Sequence, residues 1–568
     1  MPLKQTINKG NKSQFDETSN RVIDVVRSQS SEIENQLIGE FLAAKISRRN
    51  LLRHGAVLGV SLPLLSSLCS AVGLPLGTRS AHAASPNSAI RVATTVPTGT
   101  IDPLTVADPG GLLMLQQTGE FLCISGSDLQ LRAVLAESWK PNKDGTVWTF
   151  TLRRGVKFHN GQTMTADDVV ATMDRLADPA NASNALSAFA GVLSKGGTRK
   201  IDDYTVEFQL DAANGNFPYY VSTDNYNAII LPANYQGDFE KHFIGTGPFK
   251  LEKYVPQVGA SFVRNDDYWG PKALPARTDF TFYSDMQPQV LALQGGQVDI
   301  ISQLPVIQGL ALLNDPSVTI LSIKSSAHTQ VHMRTDMAPF TDKRVRRAIA
   351  LCLDRPKIVE GLFRGHADIG NDSPFAPVFP STERSVQQRA RDVAQAKELL
   401  AAAGYPDGFS VKLTAEKFIE IPAYCQVIQQ AVRAAGINIE LNIESQDAYF
   451  GEAVFGKSDW LDSIMGATDY GHRGVPNILL TAPLKSDGTW NAAHFKNKEY
   501  DSLANSYIAA LDLESQRVVA GQMQRLLLEE TPVIFSYFYE FLTATSKNVV
   551  GVQATAMSQL FLDRASIS

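Results

Sequence analysis

From Gly55 to Gly77 the chain carries no charged residue, and just ahead of that stretch stand Ser47-Arg48-Arg49-Asn50-Leu51-Leu52-Arg53. The stretch approaches the roughly 20 apolar residues of a membrane span, but Pro63, Pro75 and its many Gly, Ser and Ala residues make it a poor permanent membrane helix. Paired arginines before an apolar region mark a twin-arginine export signal. Ala81-His82-Ala83 supplies a small-x-small cleavage site, which places the mature start at Ala84 and leaves 485 residues to fold. Cys69 follows the bulky Leu68, which suits a lipoprotein site poorly. Residues 1–83, with their 46-residue leader before Ser47, therefore read as an address and not as part of the fold.

Beyond that address no window holds the ~18 unbroken apolar residues of a span. The first 83 residues contain ten Lys/Arg and six Asp/Glu, so the body keeps 42 basic against 52 acidic residues. An acidic body without a Lys/Arg block lacks the electrostatic footprint of nucleic-acid binding or of a polybasic membrane surface. With 44% hydrophobic and 19% charged residues, it has enough apolar mass for a large core.

Two periodicities alternate along that body. Trp148, Phe150 and Leu152 alternate with Thr149, Thr151 and Arg153, the period of a half-buried strand, and Asn160-Gly161 then marks a turn. Thr165-Ala166-Asp167-Asp168 reads as a capping box ahead of the helix VVATMDRLA. Further on, residues 386–404 (VQQRARDVAQAKELLAAAG) are expected to be one helix ending on Gly404, with the strand FSVKLT after Pro406. A helix around PAYCQVIQQAVRAAG and the strand INIELNIE repeat the arrangement, so the fold class is α/β.

LAESWKPNKDGTVWTFTLRRGVKFHNGQTMTADDVV (135–170) resembles the signature segment of the family 5 extracellular solute-binding proteins, the group that contains dipeptide- and oligopeptide-binding proteins. GTGPFKLEKY, NDDYWG, LALQGGQVDI, APFTDKRVRRAIALCLDRPKIVEGLFRG and AKELLAAAGYPDGF follow in the family's order, so the resemblance spans 89–568. It implies a two-lobed fold of the periplasmic-binding-protein type II-like (cluster C) kind, with an extra subdomain in lobe one and a hinge of two crossing strands. Lobe one is expected at 84–285 and 531–568 with the inserted subdomain at about 115–225, lobe two at 286–530, and the crossings near 282–286 and 531–538. The same resemblance implies a periplasmic, monomeric receptor that takes a peptide or another amine-bearing solute into an interlobe cleft. Its partners would be ABC permease subunits with ATPases behind them, with no cofactor, no metal, no nucleic acid and no catalysis. The alternative solute on the same fold is an opine, glycoside, sugar-phosphate conjugate or metal chelate.

Other motifs yield to context. Gly451 to Ser458 fits the P-loop formula, but bulky Val454 and Phe455 stand where backbone should approach phosphate. Gly245-Thr246-Gly247 runs into Pro248 and not into a helix N-terminus. His328 and His332 fall on a strand, where that spacing separates them, and the four cysteines form no C-x-x-C pair. Neither H-E-x-x-H nor G-x-S-x-G occurs, which removes the commonest hydrolase signals.

By the resemblance, Asp469 in Ala467-Thr468-Asp469-Tyr470 stands where the family's aspartate holds the solute's ammonium group, and Tyr470 is grouped with it. His472 and Arg473 are candidates for contacts to a carboxylate or phosphate on the solute, the guanidinium offering a bidentate fork. Oligopeptide binders often carry Trp three residues before that aspartate and Arg six before, whereas this chain has Gly466 and Ser463.

Overall fold

The computed structural model describes residues 89–568, together with Ile38 and Leu42. The arginine pair, the uncharged stretch, Cys69 and the cleavage site lie outside the described residues.

Ala89–Thr95 alternates as a strand should, with Ile90 and Val92 buried and Arg91 outward, and it forms the middle of a seven-stranded sheet. Arg277–Tyr283 and Ile300–Ile301 flank it in parallel. Gly259–Arg264 and Phe249–Val255 extend one side, and Phe541–Ser546 and Val318–Ile323 the other. Parallel neighbours cannot be joined by a hairpin, and the helix Met286–Gln294 is the crossover that carries the chain from Arg277–Tyr283 to Ile300–Ile301. For this reason the chain does not leave the first lobe at 282–286, as the sequence led us to expect. It leaves after Ile323 and enters the second sheet at His328.

Within 115–225 a separate antiparallel sheet orders Ala136–Pro141, Val147–Leu152, Thr205–Gln209 and Thr198–Asp202. Trp148, Phe150 and Leu152 are buried on one face, where Phe150 and Phe217 each lie about 5 Å from Phe208. The capping box forms as the sequence indicates: the Thr165 N–H donates to Asp168 Oδ2 at 2.7 Å at the head of Ala166–Ala177.

The second sheet orders Asn438–Glu444, Ser410–Glu416, Met465–Tyr470, His328–Met333 and Val533–Phe535. Val533–Phe535 thus belongs to the second lobe, and the return runs through Tyr537–Tyr539, which pairs with Ala367–Ile369, into Phe541–Ser546 of the first sheet. The helix expected over 386–404 is confined to Val393–Ala402, capped by Asp392, whose side chain accepts from the Gln395 N–H. Arg389 is drawn instead toward the buried carboxylate of Asp372, which it shares with Arg355. The fold is α/β and two-lobed, with two segments crossing between the lobes.

The lobes also touch far from those crossings. Asn216 of the first lobe donates to Asn477 Oδ1 (3.0 Å) and accepts from Gln516 Nε2 (3.1 Å), and the Gly215 N–H donates to the Ile508 carbonyl (2.9 Å).

Candidate functional site

Met465–Tyr470 lies in the second sheet between Ser410–Glu416 and His328–Met333, and its C-terminal end delivers Asp469 beside both crossings. The Asp469 N–H donates to Glu416 Oε1 at 2.8 Å, and Tyr539 on the return crossing donates its hydroxyl to Asp469 Oδ1 at 2.9 Å. Glu416 is held a second time by Gln446 Nε2 (2.7 Å), and Glu420 accepts from the Tyr537 hydroxyl (3.1 Å). Burial, reinforced by Glu420 and opposed by the Tyr539 hydroxyl, pushes the Asp469 carboxyl up to about 8. Glu420 and Tyr539 also line a crevice between Gln303–Ile307 of the first lobe and Leu362, Phe363 and Ile419 of the second. Asp469 is therefore a carboxyl group held on one oxygen, whose charged form an incoming cation would favour.

Arg473 follows on a loop tied to the first crossing. Its N–H donates to Ser326 Oγ at 2.9 Å, and Ser326 Oγ lies 2.9 Å from the Arg473 carbonyl. The guanidinium donates through Nη1 to the His472 carbonyl (2.9 Å), and among the described residues no carboxylate lies within ion-pair distance of it. Arg473 is deeply set yet keeps part of its surface accessible, and burial lowers its affinity for a proton against the pull of Tyr226, Asp224 and Asp469.

Two of the residues grouped with Asp469 by sequence lie elsewhere. Successive strand residues face opposite sides, so Tyr470 turns into the apolar cluster of Tyr449, Trp460 and Leu479 and stacks on His328 at 5.6 Å. His472 is no cationic contact: its Nδ1 accepts from the Ser326 N–H at 3.0 Å, and burial, then Arg473, holds it down to about 3, so the ring is neutral. Gly466, the position at which the sequence departs from oligopeptide binders, sits against the His332 ring, which a Cβ would meet at 2.3 Å.

Asp224 was not foreseen. It reaches across from the first lobe onto Gly474, so closely that a Cβ on Gly474 would stand 1.6 Å from Asp224 Oδ2. That oxygen is buried without a well-formed hydrogen bond, the Ser125 hydroxyl being the donor beside the carboxyl, and burial, opposed by Ser125 and then by Arg473, pushes the carboxyl up to about 7.

The discarded motifs are accounted for by their contacts. The Gly456 and Ser458 N–H groups of the P-loop-like segment donate to Asp462 Oδ2 at 2.8 and 3.2 Å, so the chain's own carboxylate takes the place of a phosphate. His328 Nδ1 lies 2.6 Å from the Ser326 carbonyl and His332 Nε2 3.1 Å from that of Ser463. Among the described residues no group of three or more His, Cys, Asp or Glu side chains could hold a metal ion. Cys123, Cys352 and Cys425 are buried and unbridged.

Comparison with known proteins agrees with this architecture. The chain is 28% identical over 440 residues to Heme-binding protein A of Haemophilus influenzae, covering 71% of this chain and 78% of that protein. It is 27% identical over 474 residues to the Glutathione-binding protein GsiB of Salmonella choleraesuis, covering 80% and 89%. Among solved structures, HbpA2 from Haemophilus parasuis superposes with a TM-score of 0.74 at 21% identity, covering 85% of this chain and all of that one. The model of the bacterial extracellular solute-binding proteins, family 5 Middle, matches residues 130–471, which takes in parts of both lobes and the strand bearing Asp469, and to that family the chain belongs.

Proposed function

We propose that the protein is a periplasmic receptor of an ABC uptake transporter, capturing a peptide or peptide-like solute between its lobes and passing it to permease subunits in the inner membrane. The observation that carries this is the pairing of Asp469, held on one oxygen by Tyr539, with the deeply set guanidinium of Arg473 four residues later. A solute ammonium on the first and a solute carboxylate on the second would satisfy both with charge-assisted hydrogen bonds. Glutathione, named for one relative, is a peptide with a free ammonium and free carboxylates, in keeping with such a site. The protein acts as a monomer and catalyses nothing, and its export runs through Arg48-Arg49.

A second solute class, an opine or another non-peptide amine, is favoured by Gly466: with His332 against that position, the aromatic side chain frequent in oligopeptide binders has no room. Native mass spectrometry of the purified protein, followed by a thermal-shift screen of peptides, opines and sugars, separates the two. A solute present at 100 times its dissociation constant raises stability by about 2.7 kcal/mol. A screen in which only sugars or metal chelates stabilise the protein would remove the amine-bearing solute. Fractionation tests the export route, since a Lys-Lys replacement of Arg48-Arg49 should stay in the cytoplasm.

A further inference from the structure

The carboxylates around Asp469 differ in what they are bound to. Both oxygens of Glu416 accept hydrogen bonds, and Glu420 accepts from Tyr537. Asp224 is placed differently. It belongs to the other lobe, presses on the backbone of Gly474 beside Arg473, and buries Oδ2 without a well-formed hydrogen bond, with only the Ser125 hydroxyl beside it as a donor. A buried carboxylate with one serine hydroxyl beside it is short of donors, which is costly, and within a domain such groups are nearly always satisfied. The guanidinium of Arg473 thus sits within electrostatic reach of two carboxylates, one from each lobe.

Building on the site proposed above, we propose that Asp224 is the first lobe's part of the same solute site and gives it a preference for a solute of net positive charge, such as a short peptide with a lysine or arginine side chain. A cleft that closes out water must balance its charges locally, because an unmatched buried charge keeps its desolvation penalty. A zwitterionic solute satisfies Asp469 and Arg473 and leaves Asp224 unmatched. A second cation on the solute matches it, whereas an extra carboxylate adds a like charge. The absence of a side chain at Gly474 lets the Asp224 carboxylate reach this position when the lobes meet.

The test is calorimetry with Lys-Ala, Ala-Ala, Glu-Ala and glutathione on the wild-type protein and on Asp224→Asn and Asp469→Ala, each checked for folding by circular dichroism. Lys-Ala should bind the wild type at least about tenfold more tightly than Ala-Ala, with Glu-Ala and glutathione weaker still. Asp224→Asn, which keeps the shape and removes the unmatched charge, should erase that preference, binding Lys-Ala more weakly and Ala-Ala at least as tightly as the wild type. Glutathione or Glu-Ala binding as tightly as Lys-Ala would overturn the proposal. So would an Asp224→Asn protein that loses the same factor for every peptide, the mark of a closure contact. Full affinity in Asp469→Ala would instead remove the ammonium site on which the proposal rests, and no binding of any peptide would remove both.

Discussion

Asp469 and Arg473 lie on one short stretch of chain, and the residues between and beside them are sorted by geometry. Tyr470 faces away because a strand alternates, and His472 faces away because Ser326 binds its ring. The sequence could place Asp469 through its resemblance and Arg473 through its charge, but nothing in a linear pattern tells which neighbour turns inward. Asp224 carries no signal at all: it is one acid in a polar loop far upstream, and only folding sets it against Gly474. Glu416 and Tyr539 were equally hidden, each being one alternate position on a strand. If Asp469 holds an ammonium in a closed cleft, Asp469→Ala strands a buried cation at about 3–5 kcal/mol. That is roughly two to four decades of dissociation constant. Asp469→Asn keeps the shape and loses the charge, and it should bind poorly too. Calorimetry with the solute identified by mass spectrometry checks this, and near-wild-type affinity in a folded Asp469→Ala protein would contradict it.

Elements were legible where local pattern decides them and illegible where a distant partner does. The alternation of Val147–Leu152 and the capping box at Thr165 are local, and both stand in the structure. The helix over 393–402 begins later than its periodicity suggests because Arg389 ends in a buried ion pair with Asp372, a partner the helical pattern does not contain. The first crossing was misplaced for a related reason: the helix Met286–Gln294 reads as the start of a new lobe, but it returns the chain to the sheet it came from. The loop after Met465–Tyr470 carries its own prediction. A Cβ at Gly474 would meet Asp224 Oδ2 at 1.6 Å, so Gly474→Ala should hinder approach of the lobes and displace the Asp224 carboxylate. An affinity lowered about tenfold or more is expected, with the circular dichroism of the solute-free protein unchanged. Wild-type affinity in Gly474→Ala would show that the loop does not meet the first lobe when solute is bound.

Across the whole molecule the lobes meet both at the crossings and away from them. Near the crossings an apolar cluster runs without a break from Ala93 and Ile301 of the first sheet, through Leu542 and Ala544, to Val331 and Ala467 of the second. Away from the crossings the contact is mixed: Asn216, Asn477, Gln516 and a backbone bond from Gly215 make hydrogen bonds, while Val475 packs on the first lobe's core and Leu129 joins the apolar cluster of Phe375 and Tyr507. Apolar burial resists separation, whereas neutral hydrogen bonds exchange for water at small net cost, about 0.5–1.5 kcal/mol each. The continuous apolar cluster at the crossings suits a hinge there, the mixed contact away from them is the part that can open, and a solute bridging Asp469 and the first lobe would hold it shut. The α/β class and the two lobes could be read from the order of strands and helices and from the family resemblance. This division of labour at the interface could not, because it depends on residues brought together from both lobes. Small-angle scattering of the mature protein before and after addition of its solute tests the hinge most directly. The radius of gyration should fall as solute shifts the population toward the lobe contact seen here between Asn216 and Asn477, and an unchanged radius at a concentration where calorimetry finds the site full would contradict a receptor that closes on its solute.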